Sequence, residues 1–514
     1  MAPSDTETTA ALLAHYARLP YQGRAHYPAH IDRMATLAAL FDLPAAPITA
    51  ARVLEVGCAD GTNLLNMATS LPGSTFVGLD LFEGHIARGR QAAAALGLDN
   101  VTLLTGDLCT PPDLGDFDYI VAHGVYSWVP APVRDALLAL IRDRLRPEGL
   151  AMVSYNIEPG WSLYRPIRDL MRWHTRNIDD PTAVLGESRA VARFLRDVLP
   201  ASHPRRPFLD HALSELDAAS DDYVYHEYLE PVNEPVWFRD FVAHAAKWDL
   251  QYVGESSFPS MLADSFPPAV QETLHRLGGE LHAFEQYRDI LSQRRFRSSL
   301  LTHAARSLDR TVTLQPLLSL SASLPFDAVA SAGSLDLTHR SHPETTITVS
   351  EPLHRAALSH LAARYPEAVP FSALATCCAE ALGAAADAPL QTALADLLMQ
   401  LYRQGALELF TVPPPVTASV SARPVAPPLV RRQAAADVLV CSPRHEMFRL
   451  NPLEQAVAVQ CDGTRDHAAL AASVAPLLST GGDPALEALG TEALATQIVA
   501  QSLRRLARDG MLTR

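Results

Sequence analysis

The sequence lacks a membrane-spanning run. No uninterrupted apolar stretch reaches the ~18 residues that a bilayer helix needs. No secretory leader is expected either, because Met1 to Thr9 is polar and has no basic-then-apolar order. Cysteine is scarce. The six, Cys58, Cys109, Cys377, Cys378, Cys441 and Cys461, are too few and too irregularly spaced for a disulfide framework or a CxxC metal site. His445-Glu446 has no second histidine at the HExxH spacing, so no metal site is expected. These absences predict a cytoplasmic protein with reduced thiols and no stable membrane insertion. Basic charge is short as well, with 42 Lys+Arg against 57 Asp+Glu and a formal net charge of -15. Such a chain repels phosphate backbones. Its densest basic run, Arg294-Arg295-Phe296-Arg297, reads as a solvated helix face. No nucleic-acid partner is expected.

What is present is apolar side chain, 48% of 514 residues, which is enough for several domains. Short β-branched runs at about 52–56, 75–79, 101–104, 119–122 and 150–155 alternate with Ala- and Leu-rich helical stretches. That alternation predicts an α/β fold, a parallel sheet with helices on both faces. From about residue 161 the spacing of apolar residues turns helical, and short strands are expected near 311–314 and 345–349. Leu398, Leu401, Arg403, Gly405 and Leu407 recur as Leu503, Leu506, Arg508, Gly510 and Leu512. Each set is a helix running into a Gly stop and a short strand, as in a winged-helix-like unit. The expected organisation is a Rossmann-like domain with an N-terminal lid (1–160) and a mostly helical middle domain (161–330). A winged-helix-like unit (331–412), an extended Pro-rich linker (413–430) and a second winged-helix-like unit (431–514) follow.

The strongest chemical signal is Val53-Leu54-Glu55-Val56-Gly57-Cys58-Ala59-Asp60-Gly61-Thr62-Asn63-Leu64. An apolar strand with an acidic residue near its end enters a tight Gly turn and then a helix start. Gly57 can take positive φ there, and a missing Cβ lets backbone approach a ligand. The helix start offers N–H groups to a carboxylate such as that of S-adenosylmethionine (SAM). Asp80 closes the second strand, where a carboxylate meets ribose hydroxyls, and Gly106-Asp107 follows the third. The dinucleotide pattern G-x-G-x-x-G is broken at its third and sixth places by Ala59 and Thr62, which favours SAM over NAD. The expected cofactor set is therefore Glu55, Gly57, Cys58, Ala59, Gly61 and Asn63 of the turn, then Asp80, Leu81, Asp107, Leu108, His123 and Gly124.

Methyl transfer from a sulfonium is a direct displacement, so the protein chiefly aligns the reactants. A lysine nucleophile must first lose a proton, since its free pKa is ~10.4. The acceptor wall is expected after the fourth strand, His123-Gly124-Val125-Tyr126-Ser127-Trp128-Val129-Pro130, where aromatic rings can pack on a cationic amine. Asn156 closes the fifth strand. Tyr126, Trp128 and Asn156 are the candidate catalytic residues, Tyr126 foremost.

HGVYSWVP and VSYNIEPGW, together with the Gly turn, resemble the signatures of a bacterial family of class I SAM-dependent methyltransferases. HEYLEPVNEPVWFRDFVAHAAKWDLQYVGE (from His226) and EQYRDILSQRRFRSSLLTHA (from Glu285) resemble its regulatory domain. RHEMFRLNPLEQAVAVQCDGTRDHAAL (from Arg444) resembles its C-terminal module. The family includes protein lysine methyltransferases that modify outer-membrane proteins of intracellular bacteria. The resemblance implies N-methylation of lysines on an extended or unfolded protein substrate held in a cleft over the SAM site. The segment from Leu19 to Pro28 departs from the family's Pro- and aromatic-rich lid. Two other readings remain open at this stage. One is a methyltransferase for a small metabolite or biosynthetic peptide, the other a non-catalytic SAM-binding regulator. The oligomeric state is not legible.

Overall fold

The computed structural model describes residues 5–436, 438–478 and 490–514. Residues 1–4 of the expected N-terminal unit, and 437 and 479–489 of the last unit, lie outside the described residues.

The five expected strands form as β1 (Arg52–Val56), β2 (Thr75–Asp80), β3 (Val101–Thr105), β4 (Phe117–Ala122) and β5 (Leu145–Asn156). They pair in parallel. Two more strands, β6 (Leu250–Glu255) and β7 (Phe296–His303), extend the sheet antiparallel to give the order β3-β2-β1-β4-β5-β7-β6. The dinucleotide fold runs 3-2-1-4-5-6, so the insertion of β7 next to β5 separates this sheet from it. The stretch beyond residue 161 is helical through Gly160–Thr175, Pro181–Asp197, Arg206–Ala218, Asp221–Tyr228 and Phe238–Ala246, then returns to complete the sheet. Sequence order alone does not reveal that return, because both strands follow a long helical stretch.

Apolar alternation places one core on each face of the sheet. Val53, Phe76, Tyr119 and Met152 pack with the helix Ile31–Leu40 on one side. Leu54, Val77, Ile120 and Val153 pack with Ala131–Arg144 and Phe238–Ala246 on the other. A separate core, with Trp161, Tyr164 and Tyr225, holds the helices of residues 160–229 together. A fourth lies in the C-terminal unit.

The basic run at 294–297 is a correction to the expected solvated helix face. Phe296 and Arg297 open β7, and Arg297 is 1% exposed. Its guanidinium donates to Glu255 at 2.6 Å, Glu285 at 2.8 Å and Asp289 at 2.8 Å. Residues 311–314 form no strand, whereas Thr346–Val349 does. The Pro-rich segment is packed rather than extended in solvent. Val416 and Ala426 are buried, and Val425 bridges to Asp462 and Thr513. The internal echo is real in geometry. Gly405 and Gly510 both follow a helix end with φ of 72° and 67°. No helix among the described residues is long and apolar enough to cross a membrane.

Candidate functional site

Strand order reverses around β1, with β2 on one side and β4 on the other. At the carboxyl ends of these strands a cavity of about 910 Å³ opens, the place where an open α/β sheet leaves room for a ligand. The turn after β1 forms its floor. Gly57 has φ 68°, and a Cβ there would sit 2.5 Å from Val125 Cγ2. Ala59 also holds a left-handed φ of 48°. Asp80 supports this strained residue, since Oδ2 accepts from the Ala59 N–H and Oδ1 from the Phe82 N–H, each at 2.9 Å.

Glu55 is the most informative group on the floor. Oε1 accepts from Asn63 Nδ2 at 2.9 Å, while Oε2 is buried with no partner. Burial pushes its pKa up to about 8, against the opposing Asn63 hydrogen bond and with Asp80 and Asp60 adding negative charge. A cationic group can serve as the partner of such a carboxylate. The positive end of the helix Thr62–Ser70 begins just beyond, facing the same space.

The roof comes from the N-terminal segment. Leu12, Leu13, Tyr16, Tyr21, Gly23, Arg24 and His26 line the cavity. Gly23 N–H reaches Asp60 Oδ2 at 3.3 Å, His26 N–H reaches Asn63 Oδ1 at 3.1 Å, and Arg24 pairs with Asp222 at 2.6 Å. The His26 ring stacks on His123 at 3.9 Å. Burial, reinforced by Arg24, lowers the His26 pKa to about 4, so the stacked ring is neutral at pH 7.

The far wall is aromatic and carries a carboxylate. Trp161, Tyr223, Tyr228 and Arg295 line it together with Glu227. The Glu227 carboxyl makes no hydrogen bond to any described residue. Burial raises its pKa to about 7, with Arg295 and Arg168 pulling the other way.

Of the expected cofactor set, Glu55, Gly57, Cys58, Ala59, Asn63, Asp80, Leu81, Asp107, Leu108, His123 and Gly124 all line the cavity. Gly61 does not. It caps the helix Thr62–Ser70 with φ 73° and acts through the turn. Trp128 and Asn156 also line the cavity. Tyr126 is the main correction. It is 2% exposed, its ring lies edge-on to Phe241, and its hydroxyl meets His244 Nδ1 at 2.8 Å. Its side chain is turned into the packing core by the short 3-10 turn Tyr126–Trp128, so it does not belong to the acceptor wall.

Sequence reasoning missed Glu227 and the tyrosines around it. The available signal was a cluster of ionisable residues, His226, Glu227 and Glu230, in an otherwise aromatic helix end. It also missed His445 of the C-terminal unit. The His445 ring lies 2.6 Å from Asn63 Oδ1 and 2.8 Å from Asn66 Oδ1, which ties that unit to the floor of the cavity.

Three family patterns match the chain. Residues 54–151 match a methyltransferase domain, 220–303 a predicted methyltransferase regulatory domain, and 422–511 the PKMT C-terminal winged helix domain. Two uncharacterized proteins of Rickettsia prowazekii are each 34% identical to it. One match runs over 301 residues, 58% of this chain and 54% of that protein; the other runs over 234 residues, 45% of this chain and 94% of that protein. The chain thus spans about half the length of the first of these relatives. The structure of PKMT2 from Rickettsia typhi, also solved in complex with AdoHcy, superposes with a TM-score of 0.86 at 26% identity. The match covers 96% of this chain and 100% of that one.

Proposed function

Because the chain belongs to the class I SAM-dependent methyltransferases of the PKMT type, we propose that it N-methylates lysine side chains of a protein substrate. The observation that carries this reading is Glu227. A carboxyl with a pKa of about 7 faces the cavity beside Tyr21, Tyr223, Tyr228 and Trp161. Aromatic faces attract a cationic ammonium, and a neighbouring carboxylate draws it in and takes its proton. A base whose pKa lies near the working pH suits that transfer.

The floor residues fit SAM. Glu55, through its unpartnered oxygen, is assigned the methionine ammonium. The start of the helix Thr62–Ser70 is assigned the methionine carboxylate. Asp80, already fixed by two backbone N–H groups, is assigned the ribose hydroxyls, and Asp107 with Leu108 the adenine. Bound SAM supplies a methyl group on a sulfonium that is already a good leaving group. Trp128 and Asn156 then bound the acceptor side. The Asn156 Nδ2 donates to Asn233 Oδ1 at 3.1 Å, which fixes the amide plane. The roof of residues 12–26 excludes water from the methyl donor.

The acceptor is read as a side chain on an extended polypeptide, because the middle and C-terminal units far exceed what a small acceptor needs. A cytoplasmic location accords with six cysteines that form no disulfide. Incubation with methyl-labelled SAM and cell extract, followed by separation by size, tests the reading. Label in the macromolecular fraction is expected. Label confined to small molecules would move the assignment to a metabolite or peptide acceptor.

A further inference from the structure

His15 of the N-terminal helix Asp5–Arg18 meets His226 and Glu230 of the middle unit at the edge of the cavity. His15 Nε2 lies 2.9 Å, and His226 Nδ1 3.5 Å, from Glu230 Oε2. The three side chains are 10%, 9% and 2% exposed. Even so, His15 Nε2, His226 Nδ1 and both Glu230 oxygens make no aligned hydrogen bond. Buried polar atoms are nearly always partnered in native proteins, so four together without an aligned hydrogen bond call for a partner.

The tautomer of His226 says what kind. Its Nε2 lies 3.0 Å from the Leu19 carbonyl oxygen, which can only accept, so Nε2 carries the proton. In the neutral ring Nδ1 therefore turns its lone pair toward a carboxylate oxygen, a repulsive contact that a cation between them reverses. A distal N–H held by a backbone carbonyl is also how metal-bound imidazoles are oriented. The two N···O distances bracket the ~3.3 Å edge of a tetrahedron with ~2 Å metal–ligand bonds. His226 and Glu230, one turn apart, stand at the C-terminal end of the helix Asp221–Tyr228, where the helix dipole favours a cation. The nearby guanidinium of Arg168 donates to the backbone carbonyl of Glu230, leaving the carboxylate free of it. Among the described residues this is the group of three whose ligand atoms all lie within 4.8 Å of one another.

We propose that His15, His226 and Glu230 bind a divalent transition-metal ion of the zinc type. Two imidazoles and one carboxylate suit such an ion better than Mg²⁺ or Ca²⁺, which prefer oxygen alone. The ion latches the N-terminal helix to the middle unit. Leu12, Leu13 and Tyr16 of the same helix line the cavity, so the latch holds the roof over it. The site escapes sequence spacing because His15 lies far from the other two ligands along the chain. It stands whatever the methyl acceptor is.

The test uses the full chain, stripped with chelator and titrated with Co²⁺ and then Zn²⁺. The expected result is visible Co²⁺ absorption that Zn²⁺ displaces, with Zn²⁺ affinity at least tenfold weaker in His15→Ala and Glu230→Gln. Proteolysis within the N-terminal helix is expected to slow with Zn²⁺ in the wild type only. His15→Ala, on an outlying helix, keeps the test sound if Glu230→Gln fails to fold. An absent Co²⁺ spectrum, or equal Zn²⁺ affinity in wild type and His15→Ala, would overturn the proposal and leave a histidine–carboxylate contact.

Discussion

Around Arg297, three buried carboxylates are fully paired; around the cavity, those of Glu55 and Glu227 are not. Glu255 accepts from Arg297, Ser299, Tyr252 and the Ser298 N–H. Glu285 accepts from Arg288 and Arg297, and both oxygens of Asp289 accept from Arg297. At the cavity, Glu55 keeps a buried oxygen without a partner, and the Glu227 side chain has no hydrogen bond to a described residue. Burial raises Asp289 to about 6 despite Arg297, whereas at Glu230 burial is outweighed by the neighbouring His15 and His226, which hold the carboxyl below its usual range. Glu255, Glu55 and Glu227 follow the pairing. Burial pushes Glu255 up, but Arg297 and Arg294 outweigh it and hold the carboxyl below its usual range. Burial carries Glu55 to about 8 and Glu227 to about 7 because little opposes it. A protein keeps such groups buried and unpaired where something else is to bind. The paired cluster builds the fold, and the unpaired one faces the ligands.

The contrast predicts opposite outcomes on mutation. Arg297→Met strands three buried carboxylates and is expected to cost about 3–5 kcal/mol, read as a lower urea midpoint or loss of soluble protein. A midpoint within error of wild type would mean that the cluster is not structural. Glu227→Gln is expected to leave folding and SAM affinity intact while lowering kcat by about 10²–10⁴-fold. In the wild type, kcat should rise as pH climbs through about 7, because the base acts when ionised, and the variant should lose that limb. Asp80→Asn should weaken SAM binding by roughly 1–3 kcal/mol in calorimetry without lowering the thermal midpoint much.

Glu55 sharpens the comparison through pH. Its folded pKa of about 8 lies above the ordinary glutamate value of 4.5, so the folded state holds an extra proton between them. Its contribution to ligand-free stability is therefore present below 4.5 and is lost as pH rises toward 8. Glu55→Gln should remove this loss, so its thermal midpoint gains on the wild type as pH goes from acid to neutral. A pH-independent gap between the two would contradict the assignment. The smallest effect is expected at Tyr126→Phe, which loses one hydrogen bond to His244, about 0.5–1.5 kcal/mol of stability, with turnover nearly unchanged.

These groups differ in how legible they were. Glu55, Asp80 and Asp107 were readable because each lies at or just beyond the carboxyl end of a strand, and strand ends of a parallel sheet converge on one ligand site. Tyr126 misled because its place in the chain is right and only its side-chain direction is wrong, which a 3-10 turn decides. His15 was hidden because its partners His226 and Glu230 lie far along the chain, and Arg297 because β6 and β7 return to the sheet only after a long helical stretch. Local periodicity carries no record of such pairings.

The most direct test of the central claim is transfer of labelled methyl from SAM to a purified, unfolded, lysine-bearing polypeptide, alongside the same polypeptide with its lysines acetylated. Lys247 is the single lysine of this chain, so any label on a lysine side chain of the protein itself is confined to one position. The account predicts label on the unmodified polypeptide that hydrolyses to methyl-lysine, and none on the acetylated one. Equal label on both would contradict it.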